Sequence, residues 1–154
     1  MRRRLIFPLL LFTFALGFAA QAAESRVLKV LPHFLDHKGL HTLSPSLYER
    51  DAYQAQLRKH PEQRSAIRFD IQWKDKNPGK ATLKLRVEIR GVAEGNLPKQ
   101  KVLETPVTGG GWFSHWSSLT FGGDEYKQFG EVTAWRVTLW EGDLLLAEQK
   151  SFLW

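Results

Sequence analysis

The chain has 154 residues, 22 lysines and arginines against 16 aspartates and glutamates, five histidines and no cysteine. The missing cysteine excludes disulfides, cysteine nucleophiles and thiolate metal ligands, so a fold of this size must rest on its apolar core. The formal charge of +6 falls to +3 once Arg2, Arg3 and Arg4 are set aside, too mild a balance to single out nucleic acid as a partner.

Those three arginines precede an apolar run from Leu5 to Phe18 and then Ala20-Gln21-Ala22, an A-x-A cleavage pattern. A positive start, a short apolar stretch and a small-residue exit predict a secretory signal peptide over residues 1–22. The run falls short of the roughly 20 apolar residues of a membrane span. Residues 23–154 are therefore expected as one exported domain, periplasmic or extracellular, with no membrane span. Without a cysteine after the apolar run, no N-terminal lipid attachment is expected.

"RVLKVL", Arg26 to Leu31, reads as the first strand. A histidine-bearing stretch follows, and then "SPSLYERDAYQAQLRKHP" predicts a short surface helix. Ser44-Pro45 offers an N-cap with proline at the first helical position, Ser46 and Glu49 offer a capping box, and Pro61 stops the run. Its thin apolar face is Leu47, Tyr48, Ala52 and Ala55.

After Pro61 the period changes to two. Ile67, Phe69, Ile71 and Trp73 alternate with polar residues, as do Leu83, Leu85, Val87 and Ile89, which predicts two half-buried strands. "KDKNPGK" between them is turn chemistry, and "QKVLETPV" makes a weaker strand whose Pro106 suits an edge. Beyond "TGGGWFSHW" a strand is expected from about His115 to Phe121. "GGDEYKQFGE" reads as a crossing turn, with Asp124 near the start of one helical turn. Trp135, Val137 and Leu139 then face one way, Glu141-Gly142-Asp143 turns a hairpin, and a last strand runs from about Leu144 to Phe152.

The fold class is thus all-β: about seven antiparallel strands with one short helix inserted after the first. This pattern resembles an immunoglobulin-like or fibronectin-III-like β-sandwich over roughly residues 26–154, in architecture alone, because the disulfide signature of immunoglobulin domains is absent. An outer-membrane barrel is disfavoured. Counting back from Trp154 in twos places Lys150 and Glu148 on what would be the lipid face.

Three groups of residues invite functional readings. His33, His37 and His41 stand four apart with Asp36 beside them, a spacing that would suit metal ligation on a helix. "DHKG" reads better as a turn with His37 at its tip, bringing His33 near His41, so a metal is not the favoured reading and no cofactor is expected. "GGGWFSHW" places Trp112, Phe113, His115 and Trp116 directly after three glycines, where loop aromatics would stack on sugar rings or anchor a protein partner. Lys84, Arg86 and Arg90 line the wet face of one strand, with Arg136 able to join them, and would meet an acidic partner or a polysaccharide.

No serine lies in a nucleophile-elbow context and the glycines lack the lysine of a phosphate loop, so the sequence points away from catalysis. The leading expectation is an exported, non-catalytic module that binds another exported protein through the loop aromatics or the basic strand face. The alternatives are a carbohydrate-binding module using Trp112 and Trp116, and a metal-dependent enzyme at His33, His37 and His41.

Overall fold

Alternating apolar residues build the two central strands, and everything else packs around them. The computed structural model describes residues 25–76 and 82–154, so the predicted signal peptide and much of the "KDKNPGK" turn lie outside the described residues. The elements run β1 (Ser25–Asp36), α1 (Leu47–Lys59), β2 (Arg64–Asp75), β3 (Leu83–Ala93), β4 (Leu97–Val107), β5 (His115–Gly122), α2 (Gly123–Phe129), β6 (Glu131–Glu141) and β7 (Leu144–Lys150). They form two antiparallel sheets, one of three strands in the order β1-β2-β5 and one of four in the order β4-β3-β6-β7.

Ile67, Phe69, Ile71 and Trp73 of β2 meet Leu83, Leu85, Val87 and Ile89 of β3 in one apolar cluster, to which β5 adds Leu119 and Phe121 and β6 adds Val137 and Leu139. Each such side chain contributes about 1.5–3 kcal/mol by leaving water, which is how a cysteine-free chain holds two sheets together. β4 lies at an edge, as Pro106 suggested. The β6–β7 hairpin turns through Gly142 and Asp143; Gly142, at φ +56°, takes the first central position, the glycine position of a type II′ turn.

Four expectations need correction. β1 continues past Leu31 to Asp36, so His33 sits on the strand, and the expected Asp36–Gly39 turn follows directly, closed by Gly39 N donating to Asp36 O (2.9 Å). α1 starts at Leu47 with Ser46 as N-cap, and the capping box makes no side-chain bond. Its expected apolar face is turned outward: Leu47, Tyr48 and Ala52 are exposed, while Gln54 and Leu57 are buried. Finally, α2 is a second helix of seven residues, where a crossing turn with one helical turn near Asp124 was expected. Tyr126 and Phe129, three apart, both pack edge-on against Phe121, and that shared contact gives a seven-residue helix its buried side.

α1 is fastened by polar groups. The Gln54 amide accepts from Phe34 N (2.8 Å) and donates to Phe34 O (2.9 Å) and His41 O (2.8 Å). The buried guanidinium of Arg64 donates to the Leu57 and Arg58 carbonyls, pairs with Glu131 at 2.9 Å and lies 4.1 Å from the Phe34 ring centre. Arg64 therefore satisfies carbonyls that the helix end leaves open.

Candidate functional site

The loop between β4 and β5 stands at one end of the three-stranded sheet. Gly111 N donates to Asp75 O (2.9 Å), tying the loop to the end of β2. Gly109 passes so close to the sheet that a Cβ there would lie 2.8 Å from the Trp73 ring and 2.9 Å from His115. His115 stacks on Trp73 with ring centres 5.0 Å apart, and the Trp73 indole N–H donates to Ser117 Oγ (3.0 Å). Thus Trp73 and His115 turn inward as the loop's base, and the rest of the aromatic run is left outside.

That remainder is large. Trp112 is 85% exposed, Phe113 83% and Trp116 53%. Trp116 pairs with Gln72 across β5 and β2, and Gln72 pairs with Lys29 of β1, so the three share a row on the outer face of the sheet. The row spans about 10 Å, two strand spacings. Gln72 Nε2 donates to Ser114 Oγ (2.9 Å), and Lys74 Nζ lies 5.8 Å from the Trp112 ring centre. Exposed indoles beside amide, hydroxyl and ammonium groups offer both stacking and hydrogen bonding to a ligand.

The histidines divide. The turn brings His33 and His41 together, ring centres 5.0 Å apart. His33 Nδ1 lies 3.0 Å from Asp70 Oδ2, which also receives Arg68 Nη2 (2.9 Å), while Ser118 Oγ donates to Asp70 Oδ1 (2.6 Å). Burial pushes the Asp70 carboxyl up, but the bonds from His33, Arg68 and Ser118 outweigh it and hold its pKa well below the ordinary range. Arg68 Nη2 also reaches His41 Nδ1 (3.3 Å). Burial, then the charge of Arg68 and proximity to His33 and Arg50, push the His41 pKa down.

His37 and Asp36 go elsewhere. His37 Nε2 faces the Glu62 carbonyl at 2.9 Å. Asp36 Oδ1 accepts from Lys38 N and Leu40 N, and Tyr53 O–H donates to Asp36 Oδ2. Burial raises the Asp36 pKa, but these donors bring it below its ordinary value. The four residues named for a metal are thus committed to three separate sets of contacts: His33 and His41 with Asp70 and Arg68, His37 with Glu62, and Asp36 with its own turn and Tyr53. Among the described residues no group of three or more histidine or carboxylate side chains is placed to hold a metal ion.

The basic strand face is charge-balanced. Arg86 meets Glu88 (3.0 Å) and Glu104 (3.7 Å), Lys84 meets Glu104 (3.3 Å), and Arg136 meets both Glu88 (2.5 Å) and Glu148 (3.6 Å). Trp154 stacks over Arg90, 3.8 Å from its ring centre, and over Arg136 at 4.9 Å. Sequence reading missed Glu104 and Glu148 as partners because strand neighbours, not chain neighbours, supply them. It also missed Gln72 and Lys74, whose link to the tryptophans is visible only once β5 is paired with β2.

No protein-family model matches the chain, and no curated protein is similar to it.

Proposed function

We propose that this chain is an exported, non-catalytic binding module of immunoglobulin-like or fibronectin-III-like architecture, and that its ligand is a polysaccharide held on Trp112 and Trp116. The pattern of residues 1–22 supports export, and the strand order β1-β2-β5 against β4-β3-β6-β7 supports the architecture. The observation that carries the ligand reading is the exposure of both tryptophans next to Gln72, Ser114 and Lys74. A protein-interface core is depleted in lysine and serine, whereas a sugar needs apolar faces together with donors and acceptors.

The second reading is an exported protein partner anchored by the same loop. Phe113, fully presented beside Trp112, and the partly exposed Leu28 favour it. Affinity electrophoresis through gels carrying assorted polysaccharides separates the two. Retardation that disappears in a folded Trp112→Ala, Trp116→Ala variant supports the polysaccharide; free migration in every gel favours the protein partner.

A further inference from the structure

Positive charge is distributed unevenly over the two sheets. On the four-stranded sheet, Lys84, Arg86 and Arg136 face carboxylates and Arg90 lies under Trp154. On the three-stranded sheet, Arg26 and Lys74 stand directly opposite one another across β1 and β2, and Lys29 stands opposite Gln72. None of these three cations makes an ion pair with any described residue, and Lys74 contacts the Trp112 ring. Like charges directly opposite in a sheet destabilise it. Arg26 and Lys74 are thus a cost to the fold that an anionic ligand would relieve.

We infer that the ligand is an acidic polysaccharide, its carboxylate or sulfate groups held by Arg26, Lys29 and Lys74 while its rings stack on Trp112 and Trp116. This rests on the polysaccharide reading above and adds a charge requirement to it. The argument is complementarity: Lys74 borders the exposed Trp112, Arg26 stands opposite Lys74, and Lys29 shares a row with Gln72 and the exposed Trp116, none of the three cations being ion-paired with a described residue, while Gln72 offers an amide for hydroxyl groups. Lys84, Arg86 and Arg136 of the opposite sheet, already paired with carboxylates, offer an anion much less.

The test uses the mature protein and three immobilised probes: polygalacturonate, which has rings and carboxylates; dextran, which has rings alone; and polyglutamate, which has carboxylates without rings. An Arg26→Gln, Lys29→Gln, Lys74→Gln variant is compared with a Lys59→Gln, Lys99→Gln, Lys127→Gln variant of equal net charge. The expected result is binding to polygalacturonate that weakens about tenfold between about 50 mM and about 200 mM salt, falls at least about tenfold in the first variant, and is little changed in the second. Equal binding to dextran and polygalacturonate, unmoved by the first variant, overturns the charge requirement and leaves the tryptophan platform standing. Equal binding to polyglutamate overturns the sugar and indicates an acidic protein. Equal losses in both variants reduce the effect to net charge and overturn the assigned site, and binding to none of the probes overturns both readings.

Discussion

Gln54 holds both backbone groups of Phe34, accepting from its N–H and donating to its carbonyl, as a neighbouring strand would. β1 is an edge of the three-stranded sheet, and this one side chain both covers part of that edge and seats α1. Gln54→Ala should therefore cost about 2–3 kcal/mol, because it strands polar groups of Phe34 and His41 away from water. Gln54→Leu, which restores apolar volume but none of the bonds, should cost a similar amount. Urea unfolding monitored by circular dichroism measures both; a loss below about 0.5 kcal/mol in each would contradict the role.

Arg64 anchors the other end of the same helix. Its guanidinium serves two helix carbonyls and Glu131 while stacking on Phe34. Arg64→Met should destabilise by about 2–3 kcal/mol, since the carbonyls lose a charged donor. Arg64→Lys should recover only part of this, because an ammonium cannot present the same planar fork. Amide hydrogen exchange in α1 should accelerate in both variants before exchange in β3 does.

Acid should weaken the fold in two stages. The His41 pKa is depressed in the folded state, so the unfolded chain takes up that proton first and stability falls as pH drops below about 6.5. Asp70 and Asp36 are also depressed, so their contributions are complete above about pH 4 and fade as pH falls further. His41→Gln should remove the first stage. Asp70→Asn should weaken the second and lower stability at neutral pH. Thermal melts across the pH range check both, and an unchanged first stage in His41→Gln would refute the assignment.

The central strands were legible in the sequence because their alternation is dictated by local geometry: Ile67 to Trp73 and Leu83 to Ile89 face inward as their period requires. α1 was legible in existence but not in orientation. Its buried side centres on Gln54, a polar residue that reads as surface until Phe34 is known to lie beside it. The loop tryptophans were identifiable as candidates, but the outward orientation of Trp116 was not legible, because no alternation fixes it and only its pairing with Gln72 places it on the outer face. The charge partners of Arg86 and Arg136 depend on strand order, which no local pattern records.

Gly109 fixes how the aromatic loop leaves the sheet. Adding a Cβ there brings it against Trp73 and His115, which must shift. Gly109→Ala should cost about 1–3 kcal/mol and weaken ligand binding by displacing Trp112. By contrast, Trp112→Ala and Trp116→Ala should each leave stability within about 0.5 kcal/mol while weakening binding at least about tenfold. Unfolding midpoints and binding isotherms on the same preparations separate the two effects.

The most direct measurement is a nuclear magnetic resonance titration of the mature protein with a short oligogalacturonate. If the tryptophan platform and its cations form the site, amide and indole shifts should concentrate at Arg26, Lys29, Gln72, Lys74, Trp112 and Trp116, with the face around Arg86 and Arg136 undisturbed. Shifts centred on Arg86 and Arg136, or none at saturating ligand, would contradict it.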